Sequence, residues 1–446
     1  MNEGTFAVRP GIAAAALLIM AGAASPQVDA QTTVADPPTG VAKAPAAIAA
    51  TGRVIRLEGT PDTTQFGWYD NAQAPVLRIR SGDTVVMETL IHGHKQVAPD
   101  LTIEQMTARA KQEQAESPGR GPHSITGPVY VEGARPGDTL KIEIGRIVPT
   151  SYALNFSYPG FAGAFPKQFP QGQVKYFYLD QARQRFEFAP GIHVPLRPFP
   201  GILSVARAEP GPYSTVPPGP FGGNLDINEM VSGTTLYLPV FVDGALLWSG
   251  DSHAAQGNGE INLTALETAF KELHLKVSVL KGVKLDWPRI ETPTHWIAIG
   301  YDRDLNAAFD LLQAQTIRLI AEQSKLSPEA ARERMRATWD CRISEVINAL
   351  KGTYCMVPKA RTASAPLLPS KDTPDYLVTH ATGEDLNKTM DMASLAMVDR
   401  LATEKHLSRL DAYSLASMAM DCRLGPPGRS AREVHCLMRK SFWTGA

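Results

Sequence analysis

Asp226, Asp251, His253 and Glu260 are side chains that bind hard metal ions or move protons, and they fall within one short stretch of this chain. The first closes the segment G-G-N-L-D (Gly222–Asp226); the others lie in G-D-S-H-A-A-Q-G-N-G-E (Gly250–Glu260). The glycines in both segments let the backbone turn tightly around the acids. Asp251 and His253 alternate, which puts both on one face of an extended segment. Asp226 is placed to supply a third metal ligand, and Glu260 to act as the general base. The competing readings are a turn aspartate after Gly250 and a hydrogen-bonded structural histidine.

Between the two segments lie the apolar, β-branched runs Thr235–Val242 and Ala245–Trp248, joined by Asp243-Gly244. That dipeptide predicts a hairpin, because a two-residue turn needs positive φ at both positions. A hairpin would bring the carboxylates before and after it into one neighbourhood. His92 and His94 also alternate, and are weaker candidates to join the metal or bind substrate. His123 precedes a β-like run and could orient a substrate carbonyl. Glu88 and Glu132 sit in or beside predicted strands, where each is either a second base or a solvent-facing acid. Asn224 is a candidate substrate contact. So is Phe161, in the aromatic, Gly/Pro-rich segment Tyr152–Pro170, which would line a small pocket or pack between subunits.

The elements around these residues are mostly β. Thirty-six glycines and 35 prolines in 446 residues argue against a helical bundle. Short apolar runs punctuated by Gly-Asp and Pro-Gly predict a β-sandwich or barrel-like body over 53–281, with helices at Gln105–Gln114 and Leu263–Leu273. The C-terminal third repeats at a constant offset of 81 residues. Thr292-Pro293 matches Thr373-Pro374, Asp304-Leu305-Asn306 matches Asp385-Leu386-Asn387, and Asp340-Cys341-Arg342 matches Asp421-Cys422-Arg423. This predicts a duplicated strand–helix–helix unit, 282–358 and 372–446, with residues 359–371 as linker and an α+β, mainly β class overall. Ser327-Pro328-Glu329 reads as a helix start. The recurring Asp-Cys-Arg suggests a structural role at helix ends. Each copy holds two cysteines 14 residues apart, which are either disulfides or buried thiols.

Lys plus Arg is 44 against Asp plus Glu 45, and no basic stripe interleaved with aromatics appears, so nucleic acid is not expected as a partner. Arg9, the small apolar run Gly11–Ala24 and the small-residue site Val28-Asp29-Ala30 predict a cleaved signal peptide (1–30) and a periplasmic or secreted protein. Residues 31–52 would form a mobile leader. No later run is long enough to span a bilayer.

Several ordered motifs resemble the acetamidase/formamidase family. They are H-S-I-T-G-P-V-Y-V-E-G-A-R-P-G-D-T-L (His123–Leu140), P-L-R-P-F-P-G (Pro195–Gly201), G-G-N-L-D, L-Y-L-P-V-F-V-D-G-A-L and G-D-S-H-A-A-Q-G-N-G-E. The resemblance implies hydrolysis of a small linear amide to ammonia and a carboxylate, in a β-rich fold with a bound divalent metal. Zinc is expected first, with calcium or manganese as alternatives. Where the family pattern has Glu-Thr-x-Asp, this chain has Glu88-Thr89-Leu90-Ile91-His92. That change, the extra C-terminal copy and the export signal leave two other readings. One is an exported binding protein without catalysis, the other a hydrolase of a larger or cyclic amide. No Ser-Ser-Lys block is present, and cysteines copied in pairs do not suit a unique nucleophile. A homo-oligomer is expected if the aromatic segment borders the pocket at an interface.

Overall fold

Runs of β-branched and apolar residues separated by tight turns build two large sheets in the computed structural model of this chain. The structure describes residues 52–93, 100–428 and 431–443, so the expected signal peptide, nearly all of the leader and His94 lie outside it. The first sheet has 12 strands. It starts from Val54–Leu57 and Thr84–Met87 and passes through Phe270–Leu280, Thr139–Pro149, Thr235–Pro239 and Arg289–Glu291. It then continues into the C-terminal strands His295–Asp302, Leu350–Pro358, Cys341–Asn348, Asp421–Leu424, Arg432–Arg439 and Tyr376–Gly383. The second sheet has 11 strands, with Leu247–Ala255 paired to Phe199–Val205, Ser124–Glu132 and Leu266–Thr268. Val85, Ile142, Leu236 and Leu275 of the first sheet pack with Ile125, Leu203, Leu247 and Trp248 of the second in one core. No helix among the described residues is long and apolar enough to cross a membrane.

Two sequence expectations are overturned. Thr235–Pro239 and Leu247–Ala255 belong to different sheets, so Asp243-Gly244 does not close a hairpin. Positive φ falls on Gly244, Ala245 and Leu246 and not on Asp243, and this turn carries the chain from one sheet to the other. The segment Leu263–Leu273 is not helical. It contributes to strands Leu266–Thr268 and Phe270–Leu280, where the alternation Leu273, Leu275, Val277, Val279 outweighs the three- and four-residue spacing seen upstream. The expected short helix does form, as Ile103–Glu116, opened by a capping box between Thr102 and Gln105.

After His295–Asp302 come helices Leu305–Ser324 and Pro328–Ala337 and then two strands; after Tyr376–Gly383 come helices Leu386–Glu404 and Arg409–Ala419 and again two strands. Ser327 caps the helix that begins at Pro328, its hydroxyl accepting from the Ala330 amide. The repeated Asp-Leu-Asn has a reciprocal use. Asp304 and Asp385 each cap their own helix, while the Asn387 side chain accepts from the Leu305 amide at 3.2 Å and the Asn306 side chain from the Leu386 amide at 3.0 Å. The recurring Asp-Cys-Arg opens strands. Cys341 pairs with the directly opposite Cys355, and Cys422 with Cys436, so all four cysteines are in disulfides.

The Gly-Asp turns of the body share a mechanism. Asp83 accepts from the Arg80 and Arg53 amides, each at 2.9 Å, and from the Arg53 guanidinium at 2.7 Å. Burial opposes its charge, but these donors outweigh it and hold the carboxyl down to about 2, against an ordinary 3.8. A depressed folded-state pKa stabilises the fold above the unfolded value and loses that contribution as pH falls through the folded one. Asp83→Asn is therefore expected to cost about 2 kcal/mol at neutral pH, with the gap to wild type closing between about pH 4 and pH 2, read from urea midpoints. Asn387→Ala, which removes one arm of the reciprocal cap, should cost about 1 kcal/mol in the same assay.

Candidate metal centre

Four turns or loops and three strands bring five acids and three histidines together. Asp226 follows strand Gly222–Asn224, Asp251 and His253 lie on Leu247–Ala255, Glu260 closes the G-N-G loop after it, and Glu267 comes from Leu266–Thr268. His92 and His123 approach from the loops before helix Ile103–Glu116 and strand Ser124–Glu132, and Glu345 from Cys341–Asn348. All eight are buried, His92 being the most accessible at 9%. The ligand atoms of seven of them, Glu345 excepted, form three overlapping groups, each within 4.8 Å: Asp226–His253–Glu260, Asp251–His253–Glu267 and His92–His123–Asp251.

Asp226, Asp251 and Glu260 all have left-handed backbones, with φ of 46°, 48° and 46°. Such φ values are uncommon away from glycine, and they aim the three carboxyls inward. Opposite them, Gly201 lies so close that a β-carbon there would sit 2.6 Å from Asp226 Oδ1 and 2.7 Å from His253 Cε1. The glycine of P-L-R-P-F-P-G therefore leaves room for the cluster.

The hydrogen bonds fix which nitrogen of His253 is bare. Gln256 donates from its amide nitrogen to the carbonyls of Asp226 (3.1 Å) and Ser344 (3.3 Å), so its oxygen faces His253 Nδ1 at 2.9 Å. Nδ1 must therefore be the donor. The opposite nitrogen, Nε2, points at Asp251 Oδ2 (3.5 Å) and Glu267 Oε1 (3.4 Å) with no hydrogen-bond partner. Asp226 Oδ1, Glu260 Oε2, Glu267 Oε2 and Glu345 Oε1 are also buried without a partner. Unpaired buried acceptors facing one another are costly unless a cation lies among them. The donor set, imidazole with carboxylates, suits a divalent metal ion. The residues present fit the metal that the sequence resemblance implies.

Without that ion the acids and rings adjust to each other. Burial, aided by Asp251, Glu345 and Glu267, raises the Asp226 carboxyl well above its usual range against the pull of His253. Burial and Asp226 do the same to Glu260. Burial alone lifts Glu345 to about 8. Burial opposes charge on Asp251, yet His123 and His253 beside it hold its carboxyl well below normal. Burial also opposes a second proton on His253 and on His92, but the carboxylates around each ring prevail and raise both. At His123 burial wins, pulling it down to about 4, and its Nδ1 meets the Thr215 hydroxyl at 2.9 Å.

Of the residues singled out from sequence, Asp226, Asp251, His253, Glu260, His92 and His123 are brought together. Asp251 Oδ1 is 3.2 Å from His92 Nδ1 and its Oδ2 3.7 Å from His123 Nε2. Asn224, two residues before Asp226, is buried with an unpartnered Oδ1. Three lie elsewhere. Glu88 pairs with Arg56 at the surface, Glu132 lies 3.5 Å from Arg80 and is half exposed, and Phe161 stacks on Tyr158 at 40% exposure. A strand-end acid next to an arginine on the neighbouring strand gains more from that partner and water than from turning inward. Glu267, Glu345, Gln256 and Asn348, which donates to Asp226, were not anticipated. Gln256 falls within a motif already singled out, whereas Glu267 and Glu345 are isolated acids in apolar strands, and an inward carboxylate there was the available signal.

The C-terminal half holds the loop that carries Glu260. The Gly257 amide donates to Ser417 O (2.8 Å), Asn258 Nδ2 to Asp421 Oδ1 (2.7 Å) and the Gly259 amide to Ser344 O (2.9 Å). Tyr413 donates to Ile261 O at 2.6 Å and Ser417 to Thr264 O at 2.7 Å.

Comparison with known proteins places the chain among amidases. An acetamidase of Mycolicibacterium smegmatis is 30% identical over 36% of this chain and 54% of that protein. A formamidase of Methylophilus methylotrophus is 25% identical over 36% of this chain and 53% of its own. The chain thus spans about half the length of the curated relatives it matches. An acetamidase structure from Bacillus halodurans superposes with a TM-score of 0.61 at 32% identity, covering 68% of this chain and 97% of that one. A γ-lactamase from Delftia acidovorans shares the fold, with a TM-score of 0.58 at 18% identity over 86% and 90% of the two chains. The Acetamidase/Formamidase family pattern matches residues 61–211 and 205–423, and this chain belongs to that family.

Proposed function

We propose that this protein hydrolyses small linear amides, of the formamide and acetamide type, to ammonia and a carboxylate at the Asp226–Asp251–His253–Glu260 cluster. The observation that carries this reading is the bare, buried Nε2 of His253 facing two carboxylates, inside the segments that match an amidase family. Asp226, Asp251, His253 and Glu267 would hold a divalent cation, which when bound lowers the pKa of a coordinated water and polarises a carbonyl.

The chain's own groups supply the rest. An amide is a poor electrophile with a poor leaving group, so a proton must leave the attacking water and reach the departing nitrogen. Glu260 is the group for both transfers. Burial and Asp226 raise its carboxyl above the usual range, which favours uptake and release of a proton nearer to neutral pH. His123, kept neutral by burial, can donate one hydrogen bond to a substrate carbonyl. The unpartnered Asn224 Oδ1 can accept from the amide N–H, fixing which end of the substrate faces Glu260. Gln256 holds the His253 tautomer. His92, the most accessible member, marks the side from which substrate enters.

We read the export signal with the two disulfides, whose survival is favoured in an oxidising compartment, as placing the enzyme in the periplasm or outside the cell. We also read the 81-residue offset and its reciprocal caps as an internal duplication.

Ammonia release from formamide and acetamide, measured on metal-stripped protein with and without Zn²⁺, Mn²⁺ or Ca²⁺, tests the reading. Restoration by one metal and its abolition in His253→Ala are expected; a folded protein that releases no ammonia under any metal would overturn it. Glu260→Gln should lower kcat at least 10²-fold, on the order of a lost general acid–base group. Gly201→Ala, which drives a methyl into Asp226, His253 and the Asp251 carbonyl, should cost about 10²-fold in kcat/KM and also lower the melting temperature.

A further inference from the structure

A second group of ligand atoms lies far along the first sheet, in the C-terminal segment. His380 stands on strand Tyr376–Gly383 directly opposite His435 on Arg432–Arg439, and Glu433 is two residues before His435 on the same strand face. One ligand atom from each lies within 4.8 Å of the other two. We propose that His380, Glu433 and His435 form a binding site for a divalent transition-metal ion of the zinc class, separate from the cluster around His253.

The hydrogen bonds of His435 fix its tautomer. Its Nδ1 lies 2.9 Å from the carbonyl of Pro369, in the linker that crosses this face. A carbonyl only accepts, so Nδ1 carries the proton and Nε2 presents its lone pair. The side chain is 4% exposed, and Nε2 is buried with no hydrogen-bond partner. Glu433 Oε2 faces it at 3.6 Å, beyond hydrogen-bond range. A histidine that donates one nitrogen to a backbone carbonyl and turns the other, bare, towards a carboxylate is oriented as metal-bound histidines are. The carboxylate has room because Gly425 is beside it, where a β-carbon would lie 2.9 Å from Oε2.

His380 completes the set. Its ring stacks on His435 with centroids 4.2 Å apart, so it must turn out of the stack to aim a nitrogen at the same point. Being exposed, it is free to turn. Arg423, opposite His435 on the other side, is engaged by Asp421 at 2.7 Å and faces Asp340 at 3.9 Å, so its charge is already met by these two acids. Three protein ligands at a partly open surface leave further positions for water or another ligand. The residues 81 positions earlier are Ile299, Gly352 and Tyr354, none with this donor set, so the site is peculiar to the second C-terminal segment.

The test is zinc stoichiometry of the full chain. Metal-stripped wild type, His380→Ala and Glu433→Gln are dialysed against a small excess of zinc chloride, and bound zinc is counted by mass spectrometry. His380→Ala replaces an exposed side chain, so its fold is expected to persist. Each variant should hold one zinc fewer per chain than wild type, and the same decrement should appear when His380→Ala is added to His253→Ala. Equal zinc content in wild type and His380→Ala would overturn the site, whatever the amidase assay shows.

Discussion

Burying several carboxylates with histidines as the basic groups set against them is the constraint around which this molecule is arranged. Asp226, Asp251, Glu260 and Glu267 converge with Glu345 acting on Asp226, and the groups that meet them are histidines and the amides of Gln256 and Asn348. A single carboxylate in such a place would be expensive, and several in contact are tolerable only if protons or a cation are shared among them. The local structure follows from that demand. The acids sit on left-handed residues that turn them inward, glycines keep the opposing backbone close, and Gln256 and Asn348 pin the groups that would otherwise rotate away.

The sandwich supplies what no single motif could. Strand Leu247–Ala255 is buried along its whole length, so residues on both of its faces meet protein. Its pairing with three neighbours sets Asp251 and His253 against Glu267 on one side and Gly201 on another. The carboxylates on either side of the central segment do meet, but within the second sheet, where strand Phe199–Val205 lies between Gly222–Asn224 and Leu247–Ala255, and not through a returning turn.

Much of this was legible in the residues, for reasons that differ by element. The Gly-rich acid segments announced a site because side chains of that kind, crowded with glycine, are of little use to a core. The constant 81-residue offset announced matching segments, and the structure adds why Asp-Leu-Asn recurs: each asparagine serves the other segment's helix. What could not be read depended on partners distant in sequence. Glu267 and Glu345 look like solvent-facing strand acids until the neighbouring strand is known. Glu88 and Glu132 look equally inward until Arg56 and Arg80 appear beside them. At Leu263–Leu273 the apolar spacing satisfied a helix and a strand alike, and sheet pairing decided it.

The clasp on residues 257–264 sets an order on the birth of the protein. Ser344, Tyr413, Ser417 and Asp421 reach the ribosome's exit long after Glu260 has left it, and until they arrive the loop is held at its far end alone, where Asn155, Phe156 and Ala164 bond residues 261–264. A nascent chain can lay down most of the sandwich and still lack a finished centre. Completion waits for the last helices and strands, so a growing or prematurely ended polypeptide carries the acids without the geometry that makes them useful.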